Sequence, residues 1–80
     1  MPKLRVLSAS QVLRILAGFG FTPTGQRGSH IKLRRSVAGE NQILTVPNHS
    51  ELDRGTLHAI YRQASCFIAE SELHPGFFTE

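Results

Sequence analysis

The spacing of apolar residues changes twice along this chain, and no other feature constrains the fold as strongly. Between residues 12 and 19 apolar side chains recur every three or four positions, which predicts an amphipathic helix. Residues 29–35 alternate between polar and apolar side chains, which predicts a half-buried β-strand. The helical spacing returns between residues 57 and 67. Because 80 residues can build only one small core, these segments should pack together as one α+β domain.

Polar residues that cap helices indicate where both predicted helices begin. Ser8 opens a capping box, and the first helix is predicted over residues 9–18. The second helix is predicted to begin at Asp53 or Arg54 and to end near Ala69. The residues between the two helices should form the surface on which both helices pack, and both apolar stripes should contact the same side of it.

Three extended segments separate the two helices and predict a three-stranded antiparallel sheet. Pro23 in the first segment cannot donate to a β-ladder, so this strand should lie at a sheet edge. With two helices on one face, the other face of the sheet stays open, and the order of elements is α-β-β-β-α. The predicted strands are residues 21–26, 29–35 and 43–46, the last ended by Pro47, and the predicted turns are 27–28 and 38–41.

Positive charge is concentrated in the first half of the chain. Residues 1–39 contain seven Lys or Arg residues and no acidic residue, whereas residues 40–80 contain two basic and six acidic residues. Four of the basic residues lie between positions 27 and 35. A polyanionic partner would explain this asymmetry, and so would a solvated basic face, because charge alone does not decide between them.

Several classes of protein are disfavoured by the sequence. No apolar run reaches the roughly 18 residues of a membrane span, and the N-terminus lacks a signal-peptide core, so a cytoplasmic location is expected. Cys66 is the single cysteine, which rules out an internal disulfide, and its apolar neighbours predict a buried thiol. One cysteine and four scattered histidines have no metal-ligand spacing, so neither a metal nor another cofactor is expected.

The open face of the predicted sheet carries residues that suit phosphate chemistry. His30, Lys32 and Arg34 alternate with apolar residues, so they should project from the same side of one strand. An imidazole moves protons near neutral pH, and neighbouring cations stabilise a phosphodiester whose negative charge increases during reaction. RNA supplies its own nucleophile, the 2′-hydroxyl, so such a site needs no metal. A half-exposed histidine on a strand is also often a bystander.

The residues around this group each have two interpretations. Arg27 could clamp a phosphate or could be a solvated turn residue, and Gly28 would let the backbone approach a nucleic acid closely. Lys32 could contact phosphate or could only keep the surface soluble. His49 could be a second proton-transfer group or a loop residue. Ser29 has no Asp–His arrangement around it, which disfavours a serine hydrolase.

Three motifs occur in order along the chain and together give it a family resemblance. They are residues 20–30 (GFTPTGQRGSH), residues 46–49 (VPNH) and residues 55–60 (GTLHAI). In this order, on these predicted elements, they resemble the motifs of the HicA toxins, also called YcfA-like proteins. The resemblance covers about residues 8–66.

The resemblance implies a fold, an activity and a partner. HicA toxins have a fold similar to double-stranded RNA-binding domains and act as mRNA interferases, endoribonucleases that cleave RNA without a metal. A HicB antitoxin binds them and covers the active site. By resemblance, His30 is the catalytic residue, and the motif residues Gly28 and Ser29 flank it. The expected RNA-binding residues are Arg27, Gly28, Ser29, Lys32 and Arg34.

The resemblance also divides the chain into a HicA-like domain, residues 1–69, and a C-terminal tail, residues 70–80. The tail contains acidic residues and the pair Phe77–Phe78, and it could dock on the domain, contact an antitoxin or be disordered. Two other functions stay open: a non-catalytic RNA-binding domain of the same fold, and a protein-binding module that uses the tail. The RNA preference, the stoichiometry of a complex and the choice between acid and base for His30 stay open as well.

Overall fold

A computed structural model describes residues 1–79, and within them it contains three helices, a three-stranded sheet and a two-stranded ribbon. Glu80, the last residue of the expected tail, lies outside the described residues. This is the predicted α+β class, with a third helix that the sequence did not predict. The elements are β1 (Lys3–Leu4), α1 (Ala9–Ala17), β2 (Thr22–Arg27), β3 (His30–Val37), β4 (Glu40–Pro47), α2 (Arg54–Ala64), α3 (Glu70–Phe77) and β5 (Phe78–Thr79).

The main sheet is antiparallel with the strand order β2-β3-β4, so β3 is its central strand. Along β3 the side chains alternate as predicted. Ile31 and Leu33 are buried, whereas His30, Lys32 and Arg34 are exposed. The helices therefore cover one face of the sheet, and the other face carries the exposed side chains.

The edge strand and the two hairpin turns occur where the sequence predicts them, but their first or last residues differ by one or two positions. β2 is an edge strand, as Pro23 predicts, and its pairing with β3 shifts register between Pro23 and Gly25. The predicted turn at residues 27–28 is wrong by one residue, because Arg27 still pairs with β3 and the turn consists of residues 28–29. The predicted loop at 38–41 is shorter and consists of Ala38 and Gly39.

Helix α1 begins and packs as its sequence predicts. The Ser8 hydroxyl accepts the Gln11 N–H at 3.2 Å, and the Gln11 side chain accepts the Ser8 N–H at 2.8 Å, which completes the capping box. Val12 and Leu16 are fully buried on the face toward the core. The helix ends at Ala17, one residue before the predicted end.

Helix α2 begins as predicted and ends earlier than predicted. The Asp53 carboxylate caps it by accepting the Thr56 N–H at 3.1 Å. The predicted end near Ala69 is wrong, because the helix stops at Ala64 and the Ser65 hydroxyl donates back to the Tyr61 carbonyl at 2.7 Å.

The turn that follows α2 changes which side chains are buried. Ile68 lies in the core, and Phe67, expected on the apolar stripe of the helix, is only half-buried. The prediction of a buried Cys66 thiol is also wrong, since the turn leaves this side chain exposed.

Residues 70–79 dock on the rest of the chain, one of the three outcomes left open for the tail. Leu73 and Phe77 of α3 are fully buried in the common core. β5 then pairs antiparallel with β1, with Lys3 opposite Thr79 and Leu4 opposite Phe78. The two ends of the described chain therefore meet in one ribbon. No helix within residues 1–79 has the length and apolar character to cross a membrane.

Candidate functional site

The hairpin between β2 and β3 positions His30 at the first residue of β3. The hairpin turn consists of Gly28 and Ser29, and of these two only Gly28 has a positive φ, +60°. That pattern is typical of a type II′ turn, where glycine accepts the left-handed conformation without a steric cost. The Gln26 side-chain amide also donates to the Gly28 carbonyl at 2.9 Å, which holds the turn in place.

Strand β4 holds the other side of the same hairpin. His30 lies opposite Arg27 of β2 and opposite Pro47 of β4 in the strand register. Beyond the last pair, the Asn48 N–H donates to the Ser29 carbonyl at 2.6 Å. The backbone at the histidine is therefore fixed by both neighbouring strands, which is the kind of support that a precise site needs.

A depression of about 310 Å³ lies in the open face beside His30. Among the described residues 1–79, two cationic side chains line it with the imidazole, and no carboxylate of these residues does. Arg27 is the cross-strand partner of His30, and Lys32 is two residues further along β3. The residues that line it are Gly25, Gln26, Arg27, His30, Lys32 and Thr45. This cation-lined depression is suited to a phosphate group.

The structure brings some of the predicted site residues together and separates others. Arg27, His30 and Lys32 line the same depression. Gly28 and Ser29 form the adjoining turn, and Arg34 lies further along the same exposed face, opposite Thr22 of β2. His49 is exposed and lines neither this depression nor the second one described below.

The fourth basic residue of the cluster, Arg35, points to the covered side of the sheet. Its guanidinium donates to the carbonyls of Phe19 at 3.0 Å and Phe67 at 2.8 Å, and to the Gln42 side chain at 2.8 Å. It also lies over the Phe21 ring, 4.7 Å from the ring centre. The positive charge of Arg35 thus holds the turn after α1 to the turn after α2 and is not available on the open face.

A second depression, of about 260 Å³, lies on the other side of His30 and was not predicted. His30, Thr45 and Pro47 form its sheet side. Helix α2 forms the opposite wall with Thr56, Ala59, Ile60 and Gln63. The signal in the sequence was the spacing of three, four and seven residues after Thr56, which puts these side chains on one stripe of a helix. We call this depression the α2 groove.

No set of three or more His, Cys, Asp or Glu side chains within residues 1–79 is arranged to hold a metal ion. The open face offers an imidazole, cations, hydroxyls and an amide, which can bind phosphate and move protons. These are the groups that phosphodiester chemistry requires.

Comparison with known proteins gives one family. The model of the family described as HicA toxin of bacterial toxin-antitoxin matches residues 9–65, more than two thirds of the chain. The matched residues include α1, the three strands of the main sheet and α2, and therefore both depressions. No curated protein and no solved structure matches the chain.

Proposed function

This chain belongs to the HicA toxin family of bacterial toxin-antitoxin systems, and from that premise we propose that it is a metal-independent endoribonuclease with His30 as its catalytic residue. Family membership makes the chain a toxin whose partner is an antitoxin protein. The observation that carries the proposal is the position of His30, which is exposed on the open face and shares with the cations Arg27 and Lys32 a depression that no carboxylate of residues 1–79 lines.

The proposed reaction is an internal transfer within RNA. The 2′-oxygen of one nucleotide attacks the adjacent phosphorus, and the bond from phosphorus to the 5′-oxygen of the next nucleotide breaks. The products are a 2′,3′-cyclic phosphate and a 5′-hydroxyl, so the step consumes no water, metal or redox partner. One proton leaves the 2′-hydroxyl and one reaches the 5′-oxygen, and His30 transfers at least one of them.

The cations have separate roles in this proposal. Arg27 and Lys32 hold the scissile phosphate and stabilise the negative charge that increases on it as the new bond forms. Gly28 lets the RNA backbone come close to the turn, because the glycine has no side chain. Ser29, the other turn residue, would then lie beside the bound RNA. Arg34 is four residues from His30, about 13 Å along the strand, and therefore contacts a phosphate away from the cut.

The same face is where we propose that the antitoxin binds. A partner of the HicB type that covers the open face would exclude RNA from His30, and acidic side chains on it would match Arg27, Lys32 and Arg34. We propose a cytoplasmic location for this activity, because an RNA substrate and an antitoxin would both be met there.

The test is cleavage of a labelled single-stranded RNA by purified protein in EDTA. We expect His30→Ala to lower the cleavage rate about 10²- to 10⁴-fold, the range for loss of a general acid or base. His49→Ala is the matched control, because this exposed histidine lines neither depression. Circular dichroism confirms that both variants fold. Replacing the nucleotide at the cut with its 2′-deoxy form should abolish cleavage there and leave binding intact.

Two outcomes would replace the proposal. If neither the wild type nor His30→Ala cuts RNA but both bind it with a strong salt dependence, the chain is a non-catalytic RNA-binding domain. If RNA binding is absent at low salt, the chain is a protein-binding module.

A further inference from the structure

The α2 groove shares His30 and Thr45 with the cation-lined depression, so the two depressions meet at the proposed catalytic residue. We propose that the α2 groove binds the base of a nucleotide next to the scissile phosphate, with Gln63 contacting its edge. This inference rests on the proposed function and extends it to the source of nucleotide preference.

The lining of the groove is chemically different from that of the first depression. Within the part of the chain that the structure describes, no Lys, Arg, Asp or Glu lines the groove, whereas Arg27 and Lys32 line the first depression. Pro47 and Ala59 supply accessible apolar surface, whereas Ile60, which also lines the groove, is almost fully buried. A nucleobase is an uncharged flat ring system, and in single-stranded RNA its faces pack on side chains while its edge forms hydrogen bonds. The phosphate of a bound RNA would thus lie beside the cations, and its base would lie in the uncharged α2 groove.

Two features of α2 point to Gln63 as the residue that contacts the base edge. The Thr56 hydroxyl already donates to the Asp53 carboxylate at 2.6 Å as part of the helix cap. Gln63 lies two helical turns further along the same stripe and is exposed. A glutamine amide offers a donor and an acceptor side by side, which matches the paired donors and acceptors on a base edge.

The size of the groove also favours a single base. Its volume of about 260 Å³ is below the roughly 300–1,000 Å³ of sites for drug-sized ligands. Ala59 is exposed in the middle of the helical wall, so the small side chain there keeps the groove open. Ala59→Leu should fill it without disturbing the core, and leucine keeps the helix propensity high.

The first experiment measures binding of small probes by NMR. The four nucleoside 5′-monophosphates and ribose 5-phosphate are titrated separately into the 15N-labelled protein. We expect all five to shift the amides around Arg27 and Lys32, and only the nucleotides to shift those of Ala59 and Gln63. At least one nucleotide should bind roughly 5- to 100-fold more tightly than ribose 5-phosphate, the range for one well-made base contact. Ala59→Leu should remove this difference, and the matched control Ala17→Leu, an exposed alanine of α1, should keep it.

The second experiment measures which nucleotide the enzyme prefers. The substrates are RNAs that differ in one nucleotide beside the cut. Gln63→Leu should lower kcat/KM for the RNA with the preferred base until it approaches kcat/KM for the other RNAs. If nucleotides and ribose 5-phosphate bind equally and shift the same amides, the inference is wrong and the groove belongs to another partner, such as the antitoxin. RNA cleavage that still depends on His30 would then preserve the proposed function. Base binding in the groove without any RNA cleavage would support the inference and overturn the proposed function.

Discussion

Two neighbouring arginines on β3 should contribute to different properties, Arg35 to stability and Arg34 to RNA binding. Arg34 is exposed on the open face, whereas Arg35 is half-buried on the covered face and binds the carbonyls of Phe19 and Phe67. Replacing each with alanine removes the same charge from adjacent positions. We therefore expect Arg35→Ala to lower the unfolding free energy and Arg34→Ala to weaken RNA binding.

The contacts of Arg35 set the expected magnitude. Each of the two carbonyl bonds is worth about 1 kcal/mol at a half-buried site, where water replaces part of the interaction. The contact with the Phe21 ring adds about 0.5–1 kcal/mol. With the bond to Gln42, Arg35→Ala should lower the unfolding free energy by about 2–4 kcal/mol, or Tm by roughly 8–32 °C. Arg35→Lys keeps the charge but not the planar fork, so about half of that loss is expected.

Thermal and urea unfolding, followed by circular dichroism, measure the stability of the three variants. Arg34→Ala should change the unfolding free energy by less than about 0.5 kcal/mol, as expected for an exposed residue. The slope of log K for RNA binding against log salt should fall by about one for Arg34→Ala and stay unchanged for folded Arg35→Lys. Equal destabilisation by Arg34→Ala and Arg35→Ala, or a lower salt slope for Arg35→Lys, would refute this division of roles.

Two further predictions concern a turn and a tyrosine. Ala38 has a φ of +53° in the turn before Gly39, a conformation that costs a residue with a Cβ about 1 kcal/mol, so Ala38→Asn should raise the unfolding free energy by about 0.5–1 kcal/mol in urea titrations. An unchanged or lower urea midpoint would contradict this. Burial of the Tyr61 ring, together with its hydrogen bond to Glu70 and the charge of that residue, raises the Tyr61 pKa from 10.0 to about 12. Between these values the unfolded chain loses the proton first, so stability should fall from pH 10 to 12, and Tyr61→Phe should show a smaller fall over that range.

Local sequence signals were sufficient where the stabilising contacts are close in the chain. The caps at Ser8 and Asp53 involve residues three positions away, and both helices begin where these residues predict. The alternation along β3 depends only on the period of a strand, and it correctly predicts that His30, Lys32 and Arg34 lie on the open face.

The missed elements depend on contacts between distant residues. Helix α3 contains Pro75 and Gly76, both poor helix formers, and the burial of Leu73 and Phe77 against the core compensates for them. The β1–β5 ribbon pairs residues at opposite ends of the described chain, and strands of two residues give no period to detect.

The orientation of Arg35 toward the covered face can be predicted from the sequence. Its position has the parity of Ile31 and Leu33, which assigns it to the covered face, where a charged group needs partners. Its carbonyl partners lie 16 and 32 residues away and could not be named in advance. The α2 groove is hard to predict for a similar reason, because its sheet side comes from β3 and β4 and its other wall comes from α2, which a loop separates from β4 in the sequence.

The alternation along β3 separates two kinds of evolutionary constraint within a single strand. Substitutions at Ile31 and Leu33 act on folding and lower the amount of protein in the cell, whatever they do to chemistry. His30, Lys32 and Arg34 are exposed, so substitutions at these positions change the surface and leave the core intact. A lineage can therefore change the side chains of this face and still inherit a stable, correctly folded protein.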